Sequence, residues 1–123
     1  MNGFRGRLAS FGHAFRGIQR LVAAEPNARL HVLAMILVIG LAAALRVSAT
    51  EWALLILAMA LVWTAEGLNT AIEILADRIS ERQDPAVGRA KDAAAGGVLL
   101  AAIGAAGVGL VVLGPALLRL VAS

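Results

Sequence analysis

The chain has 123 residues, which is enough for one domain. Of these residues 60% are hydrophobic and only 15% are charged, and the mean hydropathy is +0.84. A soluble domain of this length could not bury that much apolar surface, so the composition indicates a membrane protein. The absence of cysteine excludes disulfides and cysteine-ligated metals. The net charge of +3 does not indicate nucleic-acid binding, because the basic residues flank apolar runs instead of forming a patch with aromatic residues.

The first predicted element is an amphipathic helix over residues 4–24. Its apolar residues recur at intervals of four and three positions, which places them on one helix face. This apolar stripe consists of Phe4, Leu8, Phe11, Phe15, Ile18 and Val22. A basic helix with an aromatic face typically lies flat in the headgroup region of a membrane. It could be a plain anchor, the border of a lipid site, or both. We expect no cleavable signal peptide, because the first apolar run begins near residue 30.

Three apolar runs follow, and each is predicted to cross the membrane: residues 29–46, 51–78 and 92–118. Pro26 separates the first run from the amphipathic helix. A polar connection over residues 79–90, punctuated by Pro85 and Gly88, precedes the third run. The third run carries small residues spaced by four, which is typical of a closely packed helix face. The whole chain, residues 1–123, is therefore predicted to be a single all-α integral-membrane domain.

The distribution of Lys and Arg predicts the orientation. Nine of the eleven basic residues lie in residues 1–29 and 78–91, and only Arg46 and Arg119 lie elsewhere. Because basic residues concentrate on the cytoplasmic side of membrane proteins, the N-terminus and the 78–91 loop are predicted to be cytoplasmic. The C-terminus is then outside. We expect a multi-pass protein of the cytoplasmic membrane.

The second predicted span carries a polar stripe: Glu66, Asn69, Glu73 and Asp77. These residues fall inside an arc of roughly 60° on a helix. Ionisable groups at membrane depth are costly, and they persist only where they meet a partner, water or an ion. The predicted orientation puts the stripe on the cytoplasmic side, together with Glu25 and with Lys91-Asp92. Glu25 alone could be a helix cap, but this convergence favours a functional role.

Carboxylates, an amide and a lysine at one membrane interface indicate chemistry with a hard cation and phosphate. Mg²⁺ takes one or two carboxylates together with substrate phosphates, and a lysine beside a helix N-terminus offers a phosphate site. A carboxylate deeper in the membrane has room to take a proton from a hydroxyl group. These are the parts of phosphoryl transfer to a membrane alcohol. The chain contains neither a Walker motif nor the loop motifs of protein kinases.

Two other classes of protein stay open on the residues alone. A proton- or cation-coupled transporter subunit also needs an intramembrane glutamate. Such small exporters usually have four spans and an isolated buried glutamate, whereas this chain has three predicted spans and acidic residues that run out to the surface. A structural or regulatory helix bundle with buried ion pairs is the other class.

Two motifs carry a family resemblance: Glu66-x-x-Asn69-Thr70-Ala71-Ile72-Glu73-x-x-x-Asp77-Arg78 and Gly88-Arg89-Ala90-Lys91-Asp92. They strongly resemble the bacterial integral-membrane diacylglycerol kinase and undecaprenol kinase family. The resemblance extends to the first helix and to Glu25, and it covers nearly the whole chain. It implies ATP- and Mg²⁺-dependent phosphorylation of a membrane lipid alcohol. It also implies a homotrimer, with one surface helix and three transmembrane helices per subunit and active sites shared between neighbouring subunits.

The resemblance further implies roles at the lipid and metal end of the site. Glu66 would be the general base on the lipid hydroxyl, and Asn69 would orient the base and the acceptor. Glu25 and Glu73 would hold Mg²⁺ against the phosphates of ATP.

At the nucleotide end, the resemblance implies that Asp77 supports the nucleotide, that Lys91 binds phosphate and that Asp92 contacts the nucleotide. The family also has an N-terminal basic residue that binds phosphate. Its position falls near Gly6, and Arg5 and Arg7 flank that position.

The lipid substrate stays open between two alcohols. The segment from Glu25 to His31 is more similar to the undecaprenol kinase branch. The segment from Gly88 to Asp92 and the Asp77-Arg78-Ile79 step are closer to the diacylglycerol kinase branch. Undecaprenol is slightly favoured, and either alcohol gives the lipid phosphate and ADP.

Overall fold

The computed structural model describes residues 3–79 and 82–123. Four helices occur in these ranges, and no strand does: α1 (Phe4–Ala24), α2 (Ala28–Ala44), α3 (Ala49–Arg78) and α4 (Pro85–Ala122). The predicted all-α class is therefore confirmed for the described residues. Helices α3 and α4 are each long and apolar enough to cross a membrane, whereas α1 and α2 pass that test only when the bent pair counts as one span. The structure thus supports two or three spans.

The chain forms two compact units, Met1–Leu33 and Ala34–Ser123. In the first unit, α1 has no buried residue, and Phe11 and Phe15 on its apolar stripe are each 66% exposed. An amphipathic helix with an open aromatic face is suited to a membrane surface. Glu25 caps the C-terminus of α1, and its backbone N–H donates to the carbonyl of Leu21 at 3.0 Å.

In the second unit, α2 ends in a tight reversal. The N–H of Val47 donates to the carbonyl of Ala42, and that of Arg46 donates to Ala43, both at 3.3 Å. This pair of bonds is the Schellman motif. Arg46 has φ of 54°. Glycine usually adopts this left-handed conformation, because glycine has no Cβ to clash with the backbone. Arg46 therefore occupies a position at which most side chains are strained.

Helix α3 begins directly after this reversal. The Ser48 hydroxyl accepts from the N–H of Glu51 at 3.2 Å, and the Glu51 carboxylate accepts from the N–H of Ser48 at 3.0 Å. This reciprocal capping box satisfies two backbone donors that a helix start would otherwise leave without partners. The α2–α3 connection consequently occupies only residues 45–48, and α3 starts two residues before the predicted span.

The core of the second unit lies beside the same reversal. Its buried residues are Ala42, Leu55, Val112 and Leu113, with Trp52 and Val108 among the partly buried residues around them. This cluster joins α2, α3 and α4 at one end. Further along, the indole N–H of Trp63 donates to Sδ of Met35 at 3.2 Å, which links α2 to the middle of α3.

Helix α4 is longer than the sequence predicts. It starts at Pro85, inside the segment predicted to be a polar connection over residues 79–90. Asp84 is the N-cap, with its carboxylate accepting from the N–H of Ala86 at 3.0 Å, and proline suits the first helical position because its missing N–H would have no partner there. The helix also continues through Pro115 to Ala122. The second kinase-like motif, residues 88–92, therefore lies on a helix and not in a loop.

Candidate active site

The polar stripe lies along one unbroken helix, α3, and its burial is graded. Glu66 is 5% exposed and is the one polar or charged residue in the buried class among the described residues. Asn69 is half-buried, whereas Glu73 and Asp77 are exposed. The stripe therefore runs from a carboxylate inside the protein to carboxylates at its surface.

Asn69 connects the buried and exposed parts of the stripe. Its Nδ2 donates to Oε1 of Glu73 at 3.3 Å, one helical turn away. Its Oδ1 is buried and accepts no hydrogen bond within the described residues. A buried acceptor without a donor costs about 1–3 kcal/mol. This oxygen is therefore positioned to accept a hydrogen bond from an arriving group, such as a substrate hydroxyl.

An ion pair joins α4 to the exposed end of the stripe. Nζ of Lys91 lies 3.8 Å from Oδ1 of Asp77, and the two side chains are 34% and 74% exposed. A pair this open to solvent contributes only about 0–1 kcal/mol to stability. The ion pair matters for the charges of the site, because it holds an ammonium group next to the carboxylates of α3.

Helix α4 corrects one part of the predicted phosphate site. The sequence predicts Lys91 beside a helix N-terminus, but α4 starts at Pro85, so Lys91 lies nearly two turns inside the helix. The helix start lies too far along the chain for its free N–H groups to act at Lys91. Any phosphate affinity at this point rests on the ammonium group itself.

Two predicted site residues, Asp92 and Glu25, lie outside α3. Asp92 follows Lys91 on α4 and is exposed. Glu25 belongs to the first unit, where it is half-buried at the end of α1. The predicted roles of both residues in the site stay predictions.

The donor set suits magnesium better than a metal held by protein alone. Within the described ranges, no three Asp, Glu or His side chains come close enough to hold a metal ion. Mg²⁺ does not require such a cluster, because it binds through one or two carboxylates and completes its shell with phosphates and water. Glu73 offers one exposed carboxylate, whose Oε1 is oriented by Asn69.

Sequence reasoning missed one residue next to the site. Trp63 lies three positions before Glu66, and its hydrogen bond to Met35 ties α2 to α3 within one turn of the buried carboxylate. The available signal was a tryptophan in the middle of an apolar run, since tryptophans of membrane helices usually lie at the interfaces.

Comparison with known proteins identifies the family. The model of the prokaryotic diacylglycerol kinase family matches residues 12–113 of this chain. The chain belongs to the prokaryotic diacylglycerol kinase family. The resemblance predicted from the two motifs is thereby confirmed. The matched segment contains the predicted site residues from Glu25 to Asp92, whereas the predicted basic position near Gly6 precedes it.

Individual members of the family are similar over most of the chain. The chain is 36% identical over 108 residues to the undecaprenol kinase of Bacillus subtilis (strain 168), which covers 88% of each protein. It is 40% identical over 114 residues to the diacylglycerol kinase of Synechocystis sp., covering 92% of this chain and 65% of that protein. It is 35% identical over 101 residues to the diacylglycerol kinase of Escherichia coli (strain K12), covering 82% and 83%. These similarities give no support to a transporter.

Proposed function

We propose that the chain is a lipid kinase that transfers the terminal phosphoryl group of ATP to the hydroxyl of a membrane lipid alcohol, with Mg²⁺ on the phosphates. The graded stripe of α3 carries this proposal, because its buried end suits a lipid hydroxyl and its exposed end suits a charged nucleotide. Membership in a kinase family supports the same reaction. The products are the lipid phosphate and ADP.

At the buried end, the lipid hydroxyl docks by donating a hydrogen bond to Oδ1 of Asn69, the acceptor that has no partner in the described residues. As the phosphoryl group arrives, the hydroxyl turns its one proton from Asn69 to the Glu66 carboxylate, which takes it. The bond between the lipid oxygen and phosphorus forms, and the bond between phosphorus and the ADP oxygen breaks. Burial of Glu66 keeps water away from this step.

At the exposed end, Mg²⁺ neutralises phosphate charge when it is bound. Glu73 is the proposed ligand on α3, and Glu25 is proposed as the second ligand on the family resemblance alone. Lys91 exchanges part of its interaction with Asp77 for a phosphate oxygen, since an ammonium group binds phosphate by charge-assisted hydrogen bonds. Asp77 and Asp92 are proposed to face the rest of the nucleotide.

We further propose that α1 lies on the membrane surface, that α2 is a third span, and that three copies assemble with shared sites. A helix of 17 residues is about 26 Å long, which nearly spans the hydrocarbon core. Large apolar residues such as Leu57 and Leu100 are 67% and 73% exposed in the single chain, so they need lipid or a second copy around them. Native mass spectrometry in mild detergent is expected to detect trimers; monomers alone would contradict the assembly.

The predicted orientation is also part of the proposal: the N-terminus and residues 78–91 lie on the cytoplasmic side of the cytoplasmic membrane, and residues 1–123 act as one domain. It follows from the basic residues of those two segments. Labelling of single cysteines introduced at the exposed positions Arg7 and Arg89 tests it, because the chain has no cysteine of its own. Both positions should be protected from an impermeant reagent in intact cells.

Undecaprenol is the proposed acceptor, slightly favoured over diacylglycerol by the segment from Glu25 to His31. The deciding experiment follows transfer from radiolabelled ATP in mixed micelles that contain one of the two alcohols. We expect Mg²⁺-dependent labelling of lipid, faster with undecaprenol. No labelling of either alcohol by folded protein would refute the kinase proposal, and faster labelling of diacylglycerol would refute only the choice of acceptor.

A further inference from the structure

A cavity of about 290 Å³ lies at the end of the second unit that contains the α2–α3 reversal. Its lining residues come from that reversal and from the last turns of α4: Ala44, Leu45, Arg46, Ala116, Arg119 and Leu120. The lining is part polar and part apolar, and its two charged residues are the arginines. Glu66 lies about 25 Å away along α3, counted from the first residue of that helix. The cavity, named here the Arg46–Arg119 pocket, is therefore separate from the proposed active site.

The backbone at Arg46 argues that its side chain has a function. The residue occupies the C′ position of a Schellman motif with φ of 54°, where glycine is free of strain and arginine is not. A strained residue persists when the surrounding structure or a function requires it. The Schellman motif requires only a left-handed backbone, which glycine would adopt without strain. The presence of arginine is therefore explained by its side chain, which glycine lacks.

The charge around the pocket favours an anion. Neither Arg46 nor Arg119 forms an ion pair with any residue in ranges 3–79 and 82–123. Glu51 is the carboxylate that lies within electrostatic reach of Arg119. Its Oε1 already accepts from the N–H of Ser48 at 3.0 Å, and one carboxylate cannot neutralise two guanidinium groups. Arg46 follows the C-terminus of α2, and Arg119 lies in the last turn of α4. Cations are favourable at both places, but that explains neither the strained backbone nor the cavity between the two residues.

The position of the pocket indicates the source of the anion. Trp52 packs in the core cluster beside the same reversal, and tryptophan with arginine at the end of an apolar span is typical of the headgroup level. We propose that the Arg46–Arg119 pocket binds the phosphate group of an anionic phospholipid. Guanidinium forks match phosphate oxygens in pairs, and Leu45 and Leu120 contact the apolar part of the same lipid.

The test compares lipid binding by the full chain and by a double variant, Arg46→Gly with Arg119→Gln, in neutral detergent. Glycine suits the left-handed backbone, so this variant keeps the reversal. Native mass spectrometry counts retained lipid during titration with phosphatidylglycerol, with phosphatidylcholine and inorganic phosphate as separate arms. We expect the double variant to lose phosphatidylglycerol affinity by about tenfold or more, as hydrogen bonds to charged groups contribute at least that factor.

A matched control, Arg82→Gln, removes one positive charge from the connection between α3 and α4 and should bind phosphatidylglycerol like the parent. Equal affinity of parent and double variant would overturn the proposal, as would equal binding of phosphatidylglycerol and phosphatidylcholine by the parent. Inorganic phosphate that displaces phosphatidylglycerol at equal concentration would overturn the assignment to a lipid. Arg46→Lys keeps the charge without the fork and should lose only part of the affinity.

Discussion

Replacing Glu66 with glutamine separates the chemistry of the proposed site from its architecture. The side chain is 5% exposed, and glutamine has nearly the same shape, so the change leaves no cavity. It replaces a group that can accept a proton with an amide that cannot. Because the amide oxygen can still accept a hydrogen bond, we expect the free energy of unfolding to stay close to the parent value.

The expected loss of rate follows from the role of the carboxylate. A positioned general base contributes about 10²–10⁴-fold to a proton transfer, which corresponds to about 3–5 kcal/mol of the activation barrier. The kcat for lipid phosphorylation should fall by this factor. The KM for ATP and the Mg²⁺ dependence should stay close to the parent values, because the exposed residues Glu73 and Lys91 are unchanged.

The assay measures transfer from radiolabelled ATP to lipid in mixed micelles, with equilibrium binding of a non-hydrolysable ATP analogue measured on the same samples. Glu51→Gln is the matched control, since it makes the same substitution on the same helix at the capping box. That control should turn over like the parent. If Glu66→Gln keeps more than about one tenth of the parent kcat, Glu66 is not the general base.

Three further substitutions test the site, the core and the strained reversal. Glu73→Gln should raise the Mg²⁺ concentration for half-maximal rate by about tenfold or more, and an unchanged titration would exclude it as a ligand. Leu55→Ala, at a 2% exposed position, should lower the free energy of unfolding by about 2 kcal/mol, the low end for soluble cores because lipid also solvates apolar groups. In the same denaturation assay Leu57→Ala, at a 67% exposed position, should change little, and equal losses would contradict this core. Without anionic lipid, Arg46→Gly should stabilise the protein by about 1 kcal/mol in thermal unfolding, and a lower midpoint would argue against strain at this residue.

The helical class and the polar stripe could be predicted because both depend on local sequence. The length and period of apolar runs determine whether a segment can form a long apolar or an amphipathic helix. The residues from Glu66 to Asp77 share one helix, so their common face follows from helix geometry alone. Family membership also followed from the sequence, because its motifs are carried by residues close together along the chain.

The ends of the helices were harder to predict. The start of α3 had a signal, since Ser48 and Glu51 have the spacing of a capping box. The start of α4 had another, the Asp84-Pro85 step, which suits an N-cap followed by the first helical residue. The end of α2 had none, because arginine is not a residue that marks a left-handed helix terminus.

The sequence alone determined an all-helical membrane protein, a kinase family and one acidic face on α3, since each is a local property of the chain. The tertiary structure decided which groups meet across helices: Lys91 with Asp77, Trp63 with Met35, and Arg46 with Arg119 around one cavity. Those arrangements of side chains depend on how the helices pack against one another and on where each helix begins and ends. Periodicity specifies which face of a helix is apolar, but not the position along a neighbouring helix that this face contacts.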